Sequence, residues 1–125
     1  MEKTIKQTLD GMLQRREYSV AEIRLKLLGA GYIPASVNAI ISDYVDKGFI
    51  SNERYVEEKV RSLMRRGYGP AYVAQVLAQK QVSINLKDLD WKEAYQVAKR
   101  KAGTREGLKL KQYLYRRGFT YGYGR

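Results

Sequence analysis

Apolar side chains return every three or four residues along almost the whole chain, the spacing that gathers them on one side of an α-helix. Ile5, Leu9, Met12 and Leu13 form the first stripe, Val20, Ile23 and Leu27 the second, and Val37, Ile40, Ile41, Tyr44 and Val45 the third. Val56, Val60, Leu63 and Met64 follow, then Val73, Val76 and Leu77, then Tyr95, Val97 and Ala98, and finally Leu110, Tyr113 and Leu114. No segment alternates with a period of two, and no Asn-Gly pair of a tight hairpin occurs. The pattern predicts an all-α protein with helices near 4–16, 20–29, 35–47, 52–66, 71–80, 87–101 and 105–117.

The punctuation between stripes agrees. Ser19-Val20-Ala21-Glu22 reads as a capping box, in which the Ser hydroxyl accepts from the backbone N–H three residues on and Glu22 reaches back. Pro34 and Pro70 suit first-turn positions, where a missing N–H is not felt. Asn85 and Thr104 are candidate N-caps, and Gly29, Gly48, Gly67, Gly103 and Gly118 fall where helices should stop.

Self-comparison reveals a repeat. Arg15-Arg16-Glu17-Tyr18-Ser19 returns as Arg65-Arg66-Gly67-Tyr68-Gly69 and again as Arg116-Arg117-Gly118-Phe119-Thr120, with aromatic-to-aromatic steps of 50 and 51 residues. Ile23 and Leu27 keep the same offset as Val73 and Leu77. Each unit therefore reads as three helices, the basic pair ending the first and an aromatic-plus-small turn leading into the second. A period of this size marks a tandem helical array in which each unit buries its apolar face partly on its neighbour. The expected fold is an elongated, right- or left-curving array within one continuous domain. Residues 1–50 form a first three-helix repeat, 51–103 a second, and 104–125 a short third with one helix and a flexible tail.

Composition narrows the chemistry. The 125 residues include no His and no Cys, which excludes an imidazole base, a Ser-His-Asp triad, a thiol nucleophile, disulfides and zinc-ribbon sites. No stretch approaches the ~20 apolar residues of a membrane span. The start, Met1-Glu2-Lys3-Thr4-Ile5-Lys6, enters an amphipathic pattern without a signal-peptide core. No G-x-x-x-x-G-K-[ST] phosphate loop occurs, and Gly67-Tyr68-Gly69 reads as a turn. A cytoplasmic, non-enzymatic, monomeric binding protein without metal or cofactor is the expectation.

The net charge is +11, from 24 Lys and Arg against 13 Asp and Glu, and it is uneven. Residues 1–50 carry seven basic and six acidic side chains, 51–103 eleven and six, and 104–125 six and one. The densest run is Lys99, Arg100, Lys101, Arg105, Lys109, Lys111, Arg116 and Arg117, relieved by Glu106. Such asymmetry points to a polyanion or an acidic protein surface as partner.

Two readings stand for the pairs Arg15/Arg16, Arg65/Arg66 and Arg116/Arg117. They form a ladder of guanidinium forks for phosphates or carboxylates, or they are cations offsetting the negative ends of helix dipoles. Tyr44, Tyr95 and Tyr113 sit on apolar stripes and belong to the core; Tyr18, Tyr68 and Phe119 staple the inter-helix turn. Tyr115, Tyr121 and Tyr123 are candidates for stacking on bases or partner side chains, with a disordered terminus the alternative for the last two. Asp88, Asp90 and Glu93 suggest dipole complementarity in a helix's first turn rather than a metal site, and Trp91 beside them suggests packing.

Several stretches also resemble one known family. Gly48-Phe49-Ile50-Ser51-Asn52-Glu53-Arg54-Tyr55-Val56 resembles the junction between the first two repeats of the RecX proteins, bacterial regulators of the RecA recombinase. Gly67-Tyr68-Gly69-Pro70-Ala71 with Val76, Leu77 and Lys80 resembles the middle helix of their second repeat, and Lys111 to Phe119 the opening of their third. The resemblance covers nearly the whole chain and implies three tandem three-helix repeats. It further implies binding to RecA, in many members along the filament groove, and modulation, usually inhibition, of its ATPase, recombination and coprotease activities in DNA repair and the SOS response. In some members it implies direct DNA binding. A full member carries two more helices after the position of Phe119, where six residues remain here. The alternative is a general single- or double-stranded nucleic-acid-binding protein acting without RecA.

Overall fold

The computed structural model describes residues 3–120. Among them are seven α-helices: α1 (Ile5–Leu13), α2 (Val20–Gly29), α3 (Pro34–Asp46), α4 (Asn52–Arg65), α5 (Pro70–Gln79), α6 (Lys92–Ala102) and α7 (Gly107–Arg116). A 3₁₀ turn spans Leu86–Asp88, and the described residues contain no strand. Two compact units divide the chain, one ending at Val56 and taking in Lys80–Val82, the other made of Glu57–Gln79 and the chain from Ser83 onward. The division falls within α4.

In the first unit both leading helices begin with reciprocal capping boxes, Thr4 with Gln7 and Ser19 with Glu22. Each satisfies two backbone donors that a helix start leaves orphaned. α2 packs on α3, with α1 against both. Leu9, Tyr18, Ile23, Leu27, Val37, Ile41, Tyr44 and Ile50 fill the space between them. Leu9, Ile23, Leu27 and Val37 lose all solvent contact, each contributing roughly 1.5–3 kcal/mol.

The second unit is built around Leu63, Val73, Leu77, Trp91 and Phe119, with Ala94, Ala98 and Ala102 along the inner face of α6. The small residues permit close approach: a Cβ on Gly67 would lie 2.9 Å from the Ala98 backbone nitrogen. Here the second and third copies of the repeated motif clasp one another. Gly69 N–H donates to Arg117 O (2.7 Å) and Ala71 N–H to Gly118 O (3.0 Å). α5 begins with Gly69 and Pro70, which offer no side-chain cap, so the carbonyls ending α7 satisfy its orphan donors, negative dipole end to positive. The fit demands glycine, since Gly118 has φ +102° and a Cβ there would come 2.6 Å from Tyr72 N.

Helix boundaries differ from the sequence expectation by two residues or more in three places, each for a local reason. α1 stops at Leu13, before Arg15 and Arg16, because Arg16 is drawn to Glu22. α6 starts at Lys92, not near 87: the Asn85 side chain caps the 3₁₀ turn, Trp91 Nε1–H donates to Leu86 O (3.0 Å), and Asp90 accepts from Lys92 N–H (3.0 Å). α7 starts at Gly107 rather than after Thr104, because the Arg105 guanidinium is committed to Ala102 O at the end of α6 (2.8 Å). α2 ends at Gly29 as expected, and the positive φ follows at Gly31 (+97°).

Candidate functional site

The three arginine pairs are not pairs of equals. In each, one member lies open, and in the outer two copies the other is bound into the fold. Arg16 grips Glu22 through both terminal nitrogens (3.1 and 3.4 Å), donates to Glu17 O (2.8 Å) and lies 3.7 Å over the Tyr18 ring. Arg117 spans the clasp, donating to Gly67 O (3.3 Å) and to Arg66 O, with its guanidinium 3.9 Å over Tyr68. Arg66 is exposed and rests 5.5 Å from the same ring. Arg15, Arg65 and Arg116, the first members, are exposed and make no ion pair or side-chain hydrogen bond among the described residues. The structure divides the motif: the second arginine serves the turn, strictly so at Arg16 and Arg117, and the first faces solvent.

Glu22 explains why Arg16 is captured. It is only 8 % exposed, and its carboxylate also accepts from Ser19 N–H (3.1 Å) and lies 3.4 Å from Lys80 Nζ. Burial by itself pushes this carboxyl up. The hydrogen bonds from Arg16 and Ser19 and the charges of Arg16 and Lys80 outweigh it and hold the group below the usual range. The same environment pushes the Tyr55 phenol up to about 12, through burial first and the Glu22 charge second. This cluster is structural.

The remaining cations sort by the same test. Lys99, Arg100 and Lys101 occupy the last turn of α6, exposed and aligned with the negative end of its dipole. Lys99 also lies 5.7 Å from the Tyr95 ring. Arg105 caps α6 and sits 4.7 Å over Tyr113, so it is largely spent on structure. Lys109, Lys111 and Arg116 project from α7, which contains no acidic residue. Tyr115 on the same helix is 58 % exposed. A groove of about 630 Å³ runs between α4 and α6, floored by Val60, Met64, Ala94 and Val97 with Arg65 on its rim.

The other aromatic expectations divide. Tyr44 and Phe119 are buried, whereas Tyr95 and Tyr113 are half-buried. Tyr68 packs on the next helix by stacking on Tyr72, and Trp91 is a packing residue at 5 % exposure. Tyr121 and Tyr123 lie outside the described residues. Asp88 accepts from the Asn85 side chain, and no three acidic groups among the described residues converge to hold a metal ion. No helix among them is long and apolar enough to cross a membrane. Sequence reasoning overlooked Tyr72, because Tyr68 precedes α5 and only the turn between them brings the two rings together. It also overlooked Lys80 as a partner of Glu22, which only the fold brings together.

Comparison with known proteins adds an independent finding. The family model described as RecX, second three-helix domain, matches residues 51–86. The chain is 34% identical over 123 residues to the regulatory protein RecX of Halorhodospira halophila, spanning 87% of this chain and 76% of that one. It is 29% identical over 130 residues to the regulatory protein RecX of Pseudomonas fluorescens, spanning 93% and 84%. Against the regulatory protein RecX of Acidithiobacillus ferrooxidans, identity is 31% over 117 residues, spanning 87% and 78%.

Proposed function

The chain belongs to the RecX family, and from that premise we propose that it is a non-catalytic regulator that docks on the RecA–DNA filament and restrains RecA. The observation that carries this reading is the division within the arginine pairs. Among the described residues Arg15, Arg65 and Arg116 are exposed without an ion pair or side-chain hydrogen bond, and Arg66, Lys99, Arg100, Lys101, Lys109 and Lys111 are exposed as well. Exposed guanidinium groups suit bidentate contact with carboxylates and phosphates, and a RecA–DNA filament offers both. Arg16, Arg105 and Arg117 are instead tied to groups of the fold. The repeat boundaries near residues 50 and 103 belong to the same proposal.

The mechanism is occupancy. A protein seated on the filament blocks addition of protomers or access of DNA and clients, and changes ATP turnover by binding one filament state more tightly than another. Any effect on ATP hydrolysis falls on the RecA active site. The test is RecA ATPase on single-stranded DNA at substoichiometric protein. The expected result is a fall in turnover with wild type and little effect with the triple variant R15A/R65A/R116A. Unchanged turnover at every ratio refutes the proposal. Co-sedimentation with RecA filaments, with and without DNA, then separates filament docking from DNA binding alone.

A further inference from the structure

We propose that a notch between the start of α5 and the end of α7 holds one unstacked base of a single-stranded nucleic acid. The notch has a volume of about 200 Å³ and is lined by Tyr72, Gln75, Tyr115, Arg116 and Thr120 over the buried Phe119. That is below the ~300–1,000 Å³ of sites for whole drug-sized ligands, a size for one flat ring. Among the described residues no acidic side chain lines it.

The walls have the right chemistry. Tyr68 and Tyr72 are stacked, with centroids 4.0 Å apart and planes 16° from parallel. The Arg117 guanidinium lies 3.9 Å from the Tyr68 centre. Two groups each that close to one ring take its opposite faces, so the order is Arg117, Tyr68, Tyr72. Among the described residues no further ring stacks on Tyr72, which lines the notch. A base entering there extends the stack by one layer, with Gln75 and Thr120 placed to meet its polar edge. Tyr72 is fixed in place, because the Gly118 backbone abuts its N–H and Cβ.

Charge favours a nucleic acid over an aromatic side chain of a protein. Arg116 borders the notch with a free guanidinium, and Lys109 lies on the same face of α7, seven residues and about 10 Å away. A strand with one base inserted can therefore pass its neighbouring phosphates along a helix that has no negative side chain. The inference shares Arg116 with the reading above but stands apart from it, since its test contains no RecA.

The experiment is fluorescence anisotropy of the full chain with labelled oligothymidylate, and with an abasic strand of equal length. Wild type is expected to prefer the base-bearing strand. Y72L is expected to lose about 5- to 150-fold in affinity for that strand and to bind the abasic one as wild type does. Y72F should retain wild-type behaviour. R116A should flatten the dependence of log affinity on log salt by about 0.7. The proposal is overturned if wild type does not distinguish the strands, or if folded Y72L binds oligothymidylate undiminished. Should Y72L fail to fold, Y115L carries the same comparison, with loss of preference supporting the proposal and retention overturning it.

Discussion

Replacing Arg117 by Ala should destabilise the protein, while replacing its neighbour Arg116 should not. The Arg117 guanidinium makes hydrogen bonds to two backbone carbonyls, those of Arg66 and Gly67, and stacks on Tyr68. Hydrogen bonds from a charged group contribute about 1.5–3 kcal/mol net, and a cation over an aromatic ring about 0.5–2 kcal/mol. Arg117 is only half-buried, so water can reach the carbonyls it leaves, and the low end of each range applies. Counting the forked pair of carbonyl bonds once, because water can replace the donor at both acceptors, the expected loss for R117A is about 2 kcal/mol. With a urea slope of about 1–3 kcal/mol per molar for a small domain, the midpoint should fall by roughly 1 M. R117K keeps the charge but has neither the fork for two carbonyls nor the flat face for Tyr68, so it should recover only part of the loss. R116A, an exposed substitution, should stay within about 0.5 kcal/mol of wild type. The assay is equilibrium urea unfolding by far-ultraviolet circular dichroism, with slopes compared to check that the unfolded state is unchanged. Equal midpoints for R117A and wild type, or equal losses for R116A and R117A, would refute the division of labour within the pair.

Three further outcomes are expected. The Glu22 carboxyl is held below its usual value, so its contribution is complete above about pH 4.3, the ordinary value of a glutamate, and fades as pH falls through its depressed value. Thermal melts from about pH 7 to about pH 3 should therefore show E22Q less stable than wild type at neutral pH and the gap closing in acid; a gap that stays constant contradicts this. G118A should cost more than about 2 kcal/mol, because a Cβ at φ +102° meets Tyr72 N at 2.6 Å. G11A, within α1 and with nothing inside 4 Å of the new methyl, should instead gain about 0.5–1 kcal/mol, and both signs are read from chemical denaturation. L27A, at a fully buried core position, should cost about 2–5 kcal/mol by the same measurement.

Sequence alone determined the helices, because helix formation and termination are local. A stripe with period 3.6, a capping box at Ser19 and Glu22, and glycines at 48, 67, 103 and 118 act within a few residues of one another, and the structure has a helix for each stripe. The 50-residue recurrence of the Arg-Arg-x-aromatic motif was equally legible, since it needs only the chain compared with itself. Tertiary structure decided what each copy does. Whether an arginine is free or consumed depends on what packs against it. For Arg16 that is Glu22, and for Arg117 it is the end of α4, about fifty residues away in the chain. Long-range packing likewise placed Tyr72, Tyr115 and Arg116 around one notch. Charge is a property of composition, but its availability to a partner is a property of contacts, and contacts between distant residues exist only once the chain has folded.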